Sequence, residues 1–375
     1  MKLFKSLLVA PATLGLLAPM TATANELNLK DVSGYSSSEE VQNISEFNPA
    51  EELAVTNSRV DGLEARFNNF EAGGFSETTT ASFSVDSVIG AIDGSTTSET
   101  TSLDFQFNIG LSTSFTGEDS LDIAIDSGNG TPSTMSSDIM GFDSGTGLVV
   151  DGVTYSFPVG GASMVVGDST DLSTAFTGAC TYSAFTDATP DDCGTGNSMG
   201  AGGKGVTAAL GYAFDSGFSV AGGITSGNTE ILGDAADAYA INAAYSTDSY
   251  GVALAYGSDD GGTGSDTTTW GLNGYYTFDL ASLSAGYETQ ETGGTDSSGY
   301  FVGLSFPEVG PGSVNVAAAT TGLFADSATE TLVYEASYSY SINDGMTITP
   351  GVFLAETAGA ADDEFGVVVT TSFSF

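Results

Sequence analysis

The chain of 375 residues is rich in glycine (50) and in aromatic side chains (10%), only 14% charged, and carries a formal net charge of -42. Its six basic residues, Lys2, Lys5, Lys30, Arg59, Arg66 and Lys204, exclude nucleic acid as a partner, because phosphate binding needs clustered cations. A hydrophobic content of 41% is too high for a disordered chain, and the lack of histidine rules out Ser-His and Asp-His catalysis and a Cys/His zinc site. No catalytic residue, cofactor or metal ligand is therefore assigned. The acidity itself has two readings, a well-solvated surface or a role in ion passage.

Lys2 and Lys5 precede the apolar run LLVAPATLGLLAPM, and Ala22-Thr23-Ala24 supplies a signal-peptidase pattern, so residues 1–24 read as a cleaved signal peptide. No later stretch approaches the roughly eighteen apolar residues of a transmembrane helix. Cys180 and Cys193, an even pair in an exported chain, favour a disulfide.

After a short segment, 25–48, the sequence predicts one helix over 49–72. Asn48 is an N-cap, Pro49 suits the first helical position, and Glu51 can close a capping contact. Leu53, Thr56, Val60, Leu63, Phe67 and Phe70 repeat at spacings of three and four. Either a single amphipathic helix or a short coiled coil fits; the latter makes Leu53, Val60, Leu63, Phe67 and Phe70 an oligomer seam.

From residue 75 to 375 the period becomes two. In SLDFQFNIGLST, Leu103, Phe105, Phe107, Ile109 and Leu111 alternate with Asp104, Gln106, Asn108, Gly110 and Ser112. Similar runs recur at about 79–91, 120–127, 149–157, 161–167, 204–214, 217–226, 236–246, 249–257, 266–278, 281–289, 297–306, 312–321, 330–342, 345–355 and 363–375. That predicts an all-β fold: an antiparallel transmembrane barrel of about sixteen strands, with short turns alternating with longer Gly/Ser/Asp-rich loops. Tyr212, Phe214, Phe218, Tyr245, Tyr250, Tyr276, Phe278, Tyr338 and Tyr340 form one aromatic girdle in this reading. Trp270, Tyr256, Tyr287, Tyr300, Tyr334 and Phe365 form the other. Phe373 and Phe375 end the closing strand on its greasy face and read as an assembly signal.

The opposite face is small or polar, and a barrel of this size is wide enough to hold water, so the reading is passage. Asp104, Gln106, Asn108, Asp122 and Asp126 are the expected pore-lining residues. The longest structureless stretch, about Asp168 to Gly203, holds both cysteines and becomes the third external loop. Asp168, Asp171, Asp187, Asp191 and Asp192 load it with carboxylates opposed by Lys204 alone. It is either a pore constriction or an acidic cap outside the barrel.

The segments RVDGLEARF (59–67), FSETTTASFSV (75–85), LSTSFTGEDSLDIAI (111–125), AGGKGVTAALGYAFDSGFSV (201–220) and the terminal SFSF resemble the cyanobacterial outer-membrane porins. Those join an S-layer homology region and a coiled coil to a barrel of the carbohydrate-selective porin class. The resemblance implies a homotrimeric diffusion channel in outer-membrane lipid, passing inorganic ions and small polar solutes, with its N-terminal region in the periplasm near peptidoglycan. It also implies an inward-folded third loop, as in trimeric general porins. Before the helix there is room for only a remnant of the S-layer homology domain, so any peptidoglycan contact is weak. With one lysine after residue 74, weak cation selectivity is the expectation. The competing reading is a secreted, acidic surface-layer or adhesin-like β-protein.

Overall fold

A computed structural model of the protein describes residues 78–94, 101–130, 140–142, 145–227, 236–262, 264–325, 327–360 and 362–375. The expected signal peptide, the segment 25–48, and the helix with its seam of Leu53, Val60, Leu63, Phe67 and Phe70 lie outside the described residues.

The period-two segments form strands within a few residues of where the alternation places them. They are β1 (Thr79–Asp93), β2 (Thr101–Thr113), β3 (Ser120–Gly128), β4 (Val149–Val159), β5 (Ala162–Thr170), β6 (Gly205–Ala213), β7 (Phe218–Ser226) and β8 (Asp237–Ser246). Then come β9 (Tyr250–Asp259), β10 (Thr267–Thr277), β11 (Ser282–Thr292), β12 (Thr295–Val309), β13 (Gly312–Thr320), the two-residue β14 (Phe324–Ala325), β15 (Leu332–Asn343), β16 (Met346–Ala355) and β17 (Glu364–Ser374). Each pairs antiparallel with its neighbours, except that β14 hangs on the end of β12 while β13 pairs with β15. The sheet closes through β1 and β17, from Ser84 opposite Ser374 to Asp93 opposite Phe365. The result is a sixteen-stranded antiparallel barrel with no free edge.

Residues directly opposite on paired strands share a face, so the register fixes which side chains point in. On β8–β10, Tyr239, Ile241, Val252, Leu254, Trp270 and Leu272 are exposed, whereas Ala240, Asn242, Ala253, Ala255, Thr269 and Asn273 are buried. Large apolar groups therefore face out and small or polar ones face in, the reverse of a water-soluble sandwich.

Aromatic rings gather on the outer face near the short turns: Tyr212 against Phe214 (4.6 Å between centroids), Phe218 against Tyr245 (4.6 Å), and Tyr276 against Phe278 (4.8 Å). Tyr256 meets Trp270 (4.6 Å) toward the opposite end. At one of the short turns, Asp119 accepts from Ser114, Phe115 and Thr116, and from the Tyr155 hydroxyl at 2.7 Å. Burial opposes its charge, but these donors outweigh burial and hold the carboxyl below the usual range.

One connection departs from the expected alternation of short and long. The sequence reading put a loop between 289 and 297, yet β11 and β12 run on to a two-residue hairpin at Gly293-Gly294. Both glycines have positive φ (57° and 83°), as a type I′ turn requires, and Gly-Gly is a strong signal for that turn.

Phe375 sits at the seam. Its N–H donates to the Phe83 carbonyl and its carbonyl accepts from Phe83, both at 3.0 Å, and its ring stacks on Phe83 at 6.0 Å. Deleting Phe375 should remove a backbone pair and a stacked ring from the closing junction. We expect a clear drop in the heat-modifiable, closed species on gels of refolded protein; an unchanged yield would show that the last residue takes no part in closure.

Candidate functional site

The connection from β5 to β6, residues 171–204, turns into the barrel. Asp171 caps a short 3₁₀ turn, Leu172–Ala175, by accepting from Ser173 N–H at 2.9 Å. Leu172 is fully buried on the inner wall among Ala201, Ala209, Ala238 and Ala240. From there the loop crosses the wall strand by strand. Thr177 N–H donates to the Asn242 side chain of β8 (3.0 Å), Ala179 N–H to Asn273 of β10 (2.9 Å), and Thr181 N–H to Ser284 of β11 (3.1 Å). Cys180 and Cys193 are joined by a disulfide, with Cα atoms 5.7 Å apart.

Close approach depends on small residues on the inner face. A Cβ on Gly286 would lie 1.8 Å from the Cys193 carbonyl oxygen, and one on Gly271 would lie 2.0 Å from Ser198 Oγ. Backbone without side chains lets the loop lie against the strands.

Two buried glutamates complete the docking, and neither stood out in the sequence. Glu335 of β15, 4% exposed, accepts from Phe185 N–H (2.8 Å), Thr186 N–H (3.0 Å), and the hydroxyls of Tyr182 (2.9 Å), Thr186 (2.8 Å) and Thr189 (2.7 Å). Burial, then the Glu335 charge, pushes the Tyr182 hydroxyl well above its ordinary pKa. Glu288 of β11, 1% exposed, accepts from Ser198 N–H (2.6 Å) and the Asn197 amide (2.8 Å). Alternation marks both positions as inward, and a carboxylate facing in among alanines and glycines is the signal that could have found them.

Between these contacts lies the acidic apex. Asp171, Asp187, Asp191 and Asp192 line one cavity of about 440 Å³ with Glu288 and Asn197. Burial and the charge of Asp191 raise the pKa of Asp187; burial and the charges of Asp191 and Asp171 raise that of Asp192.

Two expected members of the loop stand differently from the reading of the sequence. Asp168 lies within β5, opposite the outward-facing Val153, because β5 continues to Thr170 before the chain turns inward. Lys204 lines a cavity with Asp171 of the loop but is ion-paired with another carboxylate: its ammonium sits 2.9 Å from both carboxylate oxygens of Asp151 on β4. Both partners are well exposed, so the pair adds little stability, but it offsets the lysine's charge.

The facing wall carries the other expected residues. Asp104 is opposite Val88, Gln106 opposite Asp86, Asn108 opposite Ser84 and Asp126, and Asp122 opposite Ser112, all on the inner face. Gln106 donates to Asn108 at 3.0 Å, and Asn108 in turn to Ser84 at 3.2 Å. Asp86 belongs to this row and was missed, although its parity in β1 is that of the inward Ser84. A cavity of about 460 Å³ between this wall and the start of the loop is lined by Ser112, Asp122, Asp151, Thr154, Asp171 and Lys204, among others. Among the described residues no cluster of three or more His, Cys, Asp or Glu side chains is arranged to hold a metal ion. What the interior offers chemically is a polar surface of net negative charge.

A closed sixteen-stranded barrel with an outward apolar face and a loop folded inside after its fifth strand is a porin-type barrel. Solved structures share this fold. OprB of Pseudomonas putida superposes with a TM-score of 0.66 at 13% identity, over 81% of this chain and 97% of that one. A loop-deletion form of OmpT, an outer membrane protein of Vibrio cholerae, gives 0.57 at 12% identity, over 80% and 100%. An engineered Rh. blastica porin gives 0.53 at 14%, over 79% and 100%. No protein-family model and no curated protein matches the sequence.

Proposed function

We propose that the protein is an outer-membrane porin: a water-filled channel for inorganic ions and small polar solutes, weakly cation-selective, with no catalytic role. The observation that carries this reading is the charge of the interior. Carboxylates line both the wall of β1–β3 and the inward loop, while Lys204 is taken up by Asp151. Anion-selective pores depend on rings of Arg or Lys, which this interior lacks among the described residues. Porin-type neighbours support the channel and the outer-membrane setting, and nothing in them supports the adhesin alternative. In this reading residues 1–24 are removed on export, and 25–48 form the S-layer homology remnant. Residues 49–72 make a periplasmic coiled coil that joins three copies through Leu53, Val60, Leu63, Phe67 and Phe70. Barrel residues 75–375 keep the short turns on the periplasmic side, and Asp171, Asp187, Asp191 and Asp192 narrow the pore. Phe373 and Phe375 serve as the assembly signal. The likeness to cyanobacterial porins belongs to the same proposal.

Planar-bilayer recording under a KCl gradient tests it. Fixed charges in a wet pore are screened over about 8 Å at 0.15 M salt, so the reversal potential should indicate a modest cation preference that grows in dilute salt. Changing Asp187, Asp191 and Asp192 together to asparagine should reduce it. Acid should act similarly: because the folded loop raises the pKa of Asp187 and Asp192, they take up protons at a higher pH than ordinary aspartates. Cation preference should therefore begin to fall at a higher pH than ordinary aspartates would give. An anion-selective wild type would remove the argument from interior charge, and an unchanged triple variant would remove the loop from the selective part of the path.

A further inference from the structure

We propose that Glu335 and Glu288 are positioning residues that hold both limbs of the inward loop against the wall and so keep the passage open, and that the Cys180–Cys193 bridge is not what keeps the loop there. The proposal rests on the channel reading above.

The hydrogen bonds divide unequally. β15 supplies one acceptor group, the Glu335 carboxylate, and the loop segment Tyr182–Thr189 supplies every donor found on it. The only lysine among the described residues is bound to Asp151, so the donors take the place of a counter-cation. A buried carboxylate without hydrogen bonds is costly. Within the protein the wall carboxylate is satisfied only by the docked loop, and lifting the limb would exchange five charge-assisted hydrogen bonds for water, at a net cost for each. Glu288 does the same for the returning limb through Asn197 and Ser198. The apex with Asp187, Asp191 and Asp192 is suspended between these two anchors.

Asn273 lies between them and touches both limbs. Its side-chain oxygen accepts from Ala179 N–H, and its amide donates to the Asp192 carbonyl (3.0 Å) and to Thr195 Oγ1 (2.7 Å). Ala179 and Asp192 adjoin Cys180 and Cys193, and Thr195 is two positions beyond Cys193. The wall already sets the separation that the disulfide spans, so the bridge duplicates a constraint already present. The loop packs on the inner wall from β5 round to β16, and its Phe185 shares a buried cluster with Val88 of β1; a released limb would move its carboxylates into the remaining lumen and obstruct the path.

Single-channel recording of the full-length protein decides the matter. For Glu335→Ala we expect the fraction of time closed to rise about tenfold or more, the shift that losing even one hydrogen bond to a charged acceptor produces. Glu335→Gln, which retains one acceptor oxygen, should lie between that variant and wild type. Wild type treated with dithiothreitol should stay as quiet as untreated protein. A Glu335→Ala channel as quiet as wild type overturns the role of the glutamate, and closures in reduced wild type overturn the redundancy of the bridge. Should Glu335→Ala fail to insert, Thr186→Val with Thr189→Val removes two donors and leaves the wall strands unaltered; the same increase supports the proposal and its absence overturns it. If wild type passes no current, the channel reading falls. Protease cleavage between 182 and 189 in detergent-folded protein then decides the anchor separately, since cleavage of Glu335→Ala at the wild-type rate refutes it.

Discussion

Arginine in place of Leu254 is expected to prevent stable insertion of the barrel into lipid. Leu254 is 45% exposed on the outer face of β9, opposite Leu272 and Ala243, while Ala253 and Ala255 beside it point inward and are 3% and 2% exposed. Along the strand it stands between Tyr250 and Tyr256, which mark about 20 Å of chain at 3.3–3.4 Å per residue. That is the central part of the apolar band, where a cationic side chain on the lipid face costs about 2–4 kcal/mol. In water the same exposed position would accept arginine at almost no cost. The effect therefore separates a membrane barrel from a soluble one. It is read as the folded fraction in lipid vesicles against wild type.

The control is Asp122→Arg, on the inner face, where Ser120 donates to the carboxylate at 2.8 Å. This variant should insert normally and lose cation preference, because side chains facing the lumen alter selectivity rather than solvation in lipid. Normal insertion of Leu254→Arg would overturn the assignment of the outer face to lipid, whatever the recordings show.

The strands were legible because one physical constraint repeats in every segment. A wall that is apolar on one side and polar on the other forces period two, and the alternating run SLDFQFNIGLST falls within β2. What was hard to read lay where the interior is not simply wet. Glu288, Glu335 and Asn273 look in sequence like ordinary inward polar residues; the docked loop, 78 or more positions away, supplies the partners that set them apart. Composition marked the loop's aspartates as a group, yet Asp168 belongs to β5 because strand length, not charge, decides where the chain leaves the wall. The partner of Lys204 is hard to read from the sequence for a related reason. That partner is the nearest carboxylate across the barrel wall, Asp151, which sits at the irregular step of the β3–β4 register and so is not given by alternation.

Alanine in place of Gly286 is expected to disturb the loop more than any conservative change in the loop itself. The added Cβ would sit 1.8 Å from the Cys193 carbonyl oxygen and 3.0 Å from its carbonyl carbon, so backbone meets side chain with no flexible end to yield. β11 cannot retreat, since it is paired along its whole length with β10 on one side and β12 on the other. The segment around Cys193 must therefore lift, and the Asn273 contacts to Asp192 and Thr195 lengthen with it. Overpacking of this kind costs about 1–3 kcal/mol. Gly110→Ala provides the comparison: there the new Cβ meets only the Ser82 hydroxyl at 2.6 Å, which can rotate away. Denaturant unfolding of the two variants in detergent should show Gly286→Ala destabilised by that amount and Gly110→Ala near wild type, with lower open-channel conductance for Gly286→Ala alone. Equal stability and conductance in the two variants would mean that the loop does not press on β11 in the working protein.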